Sequence, residues 1–120
     1  MAREPMTGRR DAPATSSPAA TNPMDLDRRI HEPGRLGIFS ALTGAGEPVS
    51  FSELGRLLSL SDGNLVMHLR TLEEAGWVES RKGRRESART QTFYSMTRAG
   101  EAAFNEYLIK LEIIIKRARG

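Results

Sequence analysis

The sequence predicts a mainly helical α+β domain that ends in a long helix. Apolar residues recur at helical spacing before residue 76 and again after residue 97, whereas residues 77–80 and 92–96 alternate as strands do. A chain of 120 residues has the usual size of one domain with one core. We therefore expect a single folded unit over residues 24–120, preceded by an N-terminal arm.

The predicted arm covers residues 1–23. These residues include four prolines and many Ala, Ser and Thr, with almost no large apolar side chain. Such a segment buries too little surface to offset the conformational entropy lost on ordering. We expect the arm to be disordered.

The first predicted helix begins near Pro33, which suits the first turn of a helix. Leu36, Phe39 and Leu42 then form an apolar stripe at helical spacing. Because glycine is common just after the last turn of a helix, Gly44 is expected to end this one.

Two further helices follow, each with a serine at its predicted start. Ser50 caps a short helix that should stop near Ser59. Ser61 caps a third helix, and Gly76 closes it as a left-handed C-terminal residue. At about 100° per residue, one face of the third helix carries the residues expected to reach the core, which are Leu65, Leu69 and Leu72.

The connection between the two predicted strands is strongly basic. Residues 81–89 contain five basic residues and one acidic residue, a net charge of +4. The rest of the chain, with 13 basic and 14 acidic residues, has a net charge of −1. A local positive field of this kind attracts a polyanion, although a solvated loop that keeps the protein soluble would have the same composition.

The last helix is expected to begin after Thr97 and to run to about Arg117. Its apolar stripe is longer than the core of so small a domain can cover. We therefore expect part of it to pack on a second copy of the chain. The predicted dimer residues are Phe104, Tyr107, Leu108, Leu111, Ile114 and Ile115.

Several classes of protein are excluded or disfavoured by composition. The absence of cysteine excludes a disulfide framework, a thiolate zinc site and a cysteine nucleophile. His31 and His68 are the two histidines, and neither has a neighbour at metal-ligand spacing. No catalytic motif and no glycine-rich phosphate loop is present. We expect no enzymatic activity, no metal ion and no other cofactor.

No apolar run approaches the length of a membrane span, and the N-terminus has no hydrophobic segment of the signal-peptide type. We therefore expect a cytoplasmic protein.

Two short helices joined by a tight turn, the second capped and followed by a hairpin with a basic tip, make a helix-turn-helix with a wing. Residues 25–110 resemble the winged-helix transcriptional regulators of the ArsR and MarR groups, in particular their small single-domain members. The matching segments are residues 32–38, 61–65, 68–78 and 92–100, of which the run that ends in Ala75-Gly76-Trp77-Val78 is the most specific. The resemblance implies a homodimer that binds operator DNA, with the third helix in the major groove and the wing on the flanking backbone or minor groove.

The chain departs from these groups in two respects. Metal sensors of the ArsR type use cysteine and histidine clusters, and this chain has no cysteine. Regulators of the MarR type often bind aromatic ligands in a cleft built with longer flanking helices, which this chain lacks. The existence of a small-molecule effector is therefore left open.

If the third helix enters a major groove, its N-terminal half faces the bases. Arg70 is the one long cation on that face and suits guanine O6 and N7, whereas Val66 and Met67 suit thymine methyl groups. The full predicted set on this helix is Ser61, Asp62, Gly63, Asn64, Val66, Met67 and Arg70. In the wing, the residues expected to neutralise phosphates are Arg81, Lys82, Arg84, Arg85 and Arg89.

Two alternatives concern side chains of the third helix. Val66 and Met67 would also suit a protein partner, in which case the fold is an interaction module and the wing only gives solubility. His68 lies at the border of the buried face, so we expect a packed residue with a local hydrogen bond rather than a ligand or a base.

Overall fold

The computed structural model describes residues 22–84 and 89–120. Within these ranges it contains four helices and a three-stranded antiparallel sheet, which confirms the predicted, mainly helical fold class. The elements are, in order, α1 (Pro33–Ala45), β1 (Val49–Ser50), α2 (Phe51–Leu58), α3 (Asp62–Glu74), β2 (Val78–Gly83), β3 (Gln91–Met96) and α4 (Arg98–Arg119). The arm predicted for residues 1–23 lies outside the described residues except for its last two positions.

Side-chain caps begin the helices, as predicted for α2, α3 and α4. In each case a hydroxyl oxygen accepts a hydrogen bond from a backbone N–H of the first turn, which would otherwise lack a partner. The pairs are Ser50 with Glu53 at 3.1 Å, Ser61 with Asn64 at 3.2 Å and Thr97 with Gly100 at 3.0 Å. The cap of α1 was not predicted: there the Glu32 carboxylate accepts from the N–H of Arg35 at 2.8 Å.

The predicted end of α1 at Gly44 is wrong. The helix continues through Gly44 to Ala45, and Gly46 terminates it with φ of 73°. A glycine inside a helix costs about 1 kcal/mol but does not interrupt the hydrogen bonds, whereas a left-handed residue does. Gly76, with φ of 80° just beyond α3, has the left-handed conformation that the sequence predicts.

The sheet has the order β1-β3-β2, so β3 is the central strand. The strand predicted for residues 77–80 corresponds to β2 and is longer than predicted, since β2 continues past Ser80 to Gly83. Arg81 lies opposite Phe93, and Lys82 lies opposite Thr92. The first part of the basic stretch is therefore strand rather than loop, which fixes the backbone of its first two cations.

The core is formed between the four helices and the base of the hairpin. The stripe predicted for α3 is confirmed, since Leu65, Leu69 and Leu72 are all buried. Phe39 of α1 stacks on Phe104 of α4, with ring centroids 4.8 Å apart. These contacts hold α3 so that its opposite face is turned away from the core.

Residues 22–32 contain no helix or strand but are fastened to the domain by side chains. The guanidinium of Arg29 lies over the ring of Trp77, 4.5 Å from its centroid, and pairs with Asp27 at 2.9 Å. Burial alone would raise the pKa of Asp27, but its hydrogen bonds to Arg29 and the charge of Arg29 together hold that pKa below its ordinary value. His31 Nδ1 is 2.8 Å from the hydroxyl of Tyr107, which links this segment to α4.

The last helix, α4, has 22 residues and is therefore about 33 Å long. Its first half packs on the core, and its second half extends beyond it. Among the residues that the structure describes, no helix combines the length and the apolar character that crossing a membrane requires.

Candidate nucleic-acid interface

The outer face of α3 carries an apolar pair beside a cation. Val66 is 40% exposed and Met67 is 52% exposed, and Arg70 on the next turn is exposed as well. Met67 and Arg70 lie opposite the buried leucines of the same helix, and Val66 flanks them, as the periodicity predicts. The face therefore offers one guanidinium and two apolar side chains to a partner, and the core uses none of them.

The start of α3 is open to solvent. The predicted contact residues Ser61, Asp62, Gly63 and Asn64 are all exposed, and the Ser61 hydroxyl is already engaged as the helix cap. At Gly63 an added methyl group would meet no atom within 4 Å. This end of the helix is thus unobstructed for the close approach of a large partner.

The wing brings basic residues together along one hairpin. Arg81 and Lys82 are exposed on β2, Arg84 follows the end of that strand, and Arg89 precedes β3. Arg85 lies outside the described residues. Because β2 and β3 pair in register up to Gly83 and Gln91, the described cations belong to one hairpin, with Arg81 and Lys82 on opposite faces of β2.

The side chains of α3 have a net negative charge. Residues 62–75 contain Arg70 against three carboxylates, those of Asp62, Glu73 and Glu74. Glu73 is engaged by the hydroxyl of Ser80, which donates to its carboxylate at 3.1 Å. Non-specific attraction to nucleic acid would therefore have to come from cations outside α3.

His68 is packed, as predicted, and is only 6% exposed. Its hydrogen bond, however, is not local. A guanidinium nitrogen of Arg35, on α1, lies 3.0 Å from His68 Nδ1, and the carboxylate of Glu32 lies 3.7 Å from the same atom. Spacing in the sequence gives no signal for this contact, because the two side chains are 33 residues apart.

The apolar stripe of α4 is divided between the core and the surface. Phe104 and Tyr107, although predicted as dimer residues, are buried within the protomer, and burial raises the pKa of Tyr107. Leu108 and Ile115 are 40% and 41% exposed. Of the remaining predicted residues, Leu111 and Ile114 are half-buried.

The sequence did not single out two further apolar residues of α4, Ile109 and Ile113, which are exposed. On a helical wheel they lie on the opposite side from Phe104, outside the predicted stripe. The second half of α4 is thus apolar on more than one side.

Comparison with known families gives one match that covers most of the described chain. A family model described as "Winged helix DNA-binding domain" matches residues 35–115. These residues run from the first turn of α1 into the second half of α4, so the match includes α3, the wing and the stripe described above.

Similar proteins are found among both sequences and solved structures. An uncharacterized protein of Methanocaldococcus jannaschii is 38% identical over 77 residues, which are 64% of this chain and 82% of that protein. A transcriptional regulator homologue from Pyrococcus horikoshii OT3 is 31% identical, with a TM-score of 0.69 over 80% of this chain and 92% of that one.

A solved MarR family transcription regulator is 25% identical, with a TM-score of 0.58 over 76% of this chain and 57% of that one. These matches confirm the resemblance that the sequence motifs indicate, with the MarR group represented among the structural neighbours.

Proposed function

The chain belongs to the family of winged helix DNA-binding domains, and from this premise we propose that it is a dimeric transcriptional regulator that binds a palindromic operator. One observation carries the proposal: the face of α3 that the core leaves free lies beside the hairpin that contains residues 81–89. Those residues have a net charge of +4, whereas the whole chain has a net charge of +3. A capped helix of 13 residues has the dimensions that enter a major groove.

In this function α3 supplies direct contacts to the bases. Arg70 takes guanine O6 and N7 in a bidentate arrangement, because its planar fork of donors matches those two acceptors. Val66 and Met67 contact thymine methyl groups. Ser61, Asp62, Gly63 and Asn64 lie at the helix N-terminus, where the backbone amides and the helix dipole favour an approaching phosphate.

The wing supplies the attraction that does not depend on sequence. Arg81, Lys82, Arg84, Arg85 and Arg89 neutralise phosphates and release the counterions that surround them. Phosphate contacts fix the register of the protein on the duplex, and the base contacts of α3 then select the sequence.

The second half of α4 supplies the dimer contact in this proposal. Leu108 and Ile115 remain exposed in the protomer, and Leu111 and Ile114 are only half-buried. Packing these four residues on their counterparts in a second copy would remove an apolar surface from water. A two-fold axis there presents two copies of α3, which suits an operator with two inverted half-sites.

Binding to a random-sequence duplex, measured by fluorescence anisotropy at a series of salt concentrations, tests this function. We expect the logarithm of the affinity to fall linearly with the logarithm of the salt concentration, since counterion release drives binding. A protein-interaction module that uses Val66 and Met67 instead would show little affinity for the duplex at low salt. That result would refute the proposal.

A further inference from the structure

His68 differs from every other polar residue of the part of the chain that the structure describes. Among residues 22–84 and 89–120, it is the one buried polar or charged side chain apart from the aromatic residues Trp77 and Tyr107, which carry one polar group each. It lies on α3, directly after Met67 and two residues before Arg70, which are both exposed. A polar side chain is therefore buried in the same turns that present the candidate base contacts.

The contact that His68 makes has a defined direction. Arg35 carries only donors, so its guanidinium donates to His68 Nδ1, which must be the unprotonated nitrogen of the ring. Glu32 lies farther from Nδ1, at 3.7 Å, and its carboxylate is already engaged by the N–H of Arg35 at 2.8 Å.

Arg35 is itself held in place. Its Nε donates to the carbonyl oxygen of Arg29, and its backbone N–H donates to the carboxylate of Glu32. On the far side of the imidazole, Gly34 leaves space for the ring: a methyl group there would lie 2.6 Å from Nε2. The first turn of α1 and the segment before it therefore form a fixed seat for the His68 ring.

This seat matters because the other contacts in the first half of α3 are apolar. The buried leucines attach the helix to the core through contacts that have no preferred direction. Rotation of a helix by about 10° moves an atom 6 Å from its axis by roughly 1 Å. A displacement of that size breaks hydrogen bonds to base edges, which require about 2.7–3.2 Å between heavy atoms.

We propose that His68, held by Arg35, is a positioning residue that sets the orientation of α3 and so the sequence preference of DNA binding. This inference rests on the proposed function. It assigns no base contact to His68, which acts through Val66, Met67 and Arg70 on the neighbouring positions.

Two substitutions at position 68 separate this role from a purely structural one. His68→Leu fills the site with an apolar side chain and removes the acceptor for the Arg35 guanidinium. His68→Asn keeps an acceptor, because the Oδ1 atom of asparagine can occupy the position that Nδ1 has in histidine. The duplex that the native chain enriches from a random pool serves as the specific probe, and a scrambled duplex of equal length serves as the random probe.

We expect His68→Leu to lower the ratio of specific to random affinity about tenfold, the effect of losing one hydrogen bond to a charged group. His68→Asn should restore most of that ratio. The matched control is His31→Leu, which removes the other histidine contact, the one to Tyr107, and should leave the ratio unchanged. Equal losses on both duplexes in His68→Leu, or no recovery in His68→Asn, would overturn the proposal.

A second measurement needs no DNA. Residual dipolar couplings of the backbone amides give the orientation of α3 relative to α1 in the free chain. His68→Leu should change that orientation, whereas His68→Asn and His31→Leu should not. An unchanged orientation in His68→Leu would overturn the positioning role. If no variant and no native chain binds DNA, the proposed function fails, and the couplings still decide the role of His68.

Discussion

At the scale of single residues, Gly100 lies where the first turn of α4 crosses the backbone of Trp77. A methyl group at this position would lie 2.1 Å from the Trp77 carbonyl oxygen. Gly100→Ala should therefore force α4 away from the hairpin and destabilise the domain by about 3 kcal/mol, as overpacking in a rigid site does. Chemical denaturation followed by circular dichroism measures the free energy of unfolding.

The matched control for this substitution is Gly44→Ala. Gly44 also lies in a helix, but a methyl group there would meet no atom within 4 Å. Alanine should stabilise α1 at this position by about 0.5–1 kcal/mol because it favours the helix more than glycine does. Equal effects of the two substitutions would contradict the packing described for Gly100.

Arg70 is the residue on which the proposed base contacts depend most. Arg70→Ala should cost about 1–3 kcal/mol of binding free energy at the base pairs it reads, and far less on random DNA. Titration of the substituted chain with the selected duplex and with random duplexes gives both losses. A loss of equal size on all duplexes would indicate a phosphate contact instead.

The sequence predicts whether each residue of α3 lies on the buried or the exposed face, but it does not predict every hydrogen-bond partner. Periodicity alone places Leu65, Leu69 and Leu72 in the core and His68 at its border, because a helix repeats every 3.6 residues. It does not predict Arg35 as the donor to His68, because that contact depends on how α1 and α3 pack. Tertiary hydrogen bonds of this kind leave no periodic signal in a single sequence.

At the scale of elements, the wing is the proposed source of non-specific attraction. Arg84→Ala combined with Arg85→Ala should weaken binding to every duplex and reduce the slope of log affinity against log salt by about 1.8, since each phosphate contact contributes about 0.9. The salt series described for the random duplex measures this slope.

A control of equal charge tests whether the wing itself is responsible. Lys116→Ala combined with Arg117→Ala removes the same two charges from the last turn of α4. This pair should leave the slope close to that of the native chain. If both pairs reduce the slope equally, the attraction reflects the charge of the whole chain rather than a contact by the wing.

The elements were predicted well where a side chain marks their ends. Ser50, Ser61 and Thr97 cap the helices because a hydroxyl at that position satisfies a free backbone amide. The end of α1 was misplaced because two glycines lie close together, and only the backbone conformation identifies Gly46 as the terminator. The length of β2 was underestimated because pairing with β3 extends it through residues with no alternation.

At the scale of the whole molecule, the stripe on α4 is the proposed contact between two copies. Leu108→Lys combined with Ile115→Lys should shift the mass in solution from near twice 13.3 kDa to 13.3 kDa, because lysines facing each other cannot be buried. Analytical ultracentrifugation measures this mass.

The same helix offers a control for the dimer contact. Ile109→Lys introduces one such positive charge at an exposed apolar residue outside the stripe. It should leave the mass of the dimer unchanged. Dissociation by Ile109→Lys and not by the first pair would move the contact to the opposite face of α4.

The sequence predicts one core and an apolar stripe on α4 that the core cannot fully cover. It does not predict which residues of the stripe are buried in the core and which remain exposed. Phe104 and Tyr107 make contacts within the protomer: Phe104 packs on Phe39, and the Tyr107 hydroxyl contacts His31. Which residues of a stripe face the core depends on how far α4 extends beyond the other elements. That distance is a property of the assembled domain and not of the helix alone.

Selection of bound fragments from a pool of random duplexes tests the central claim most directly, because it examines α3, the wing and the dimer together. The account predicts enrichment of an inverted repeat whose half-sites lie about one helical turn apart, roughly 34–36 Å between centres. A pool that shows no enriched sequence after several rounds would contradict it.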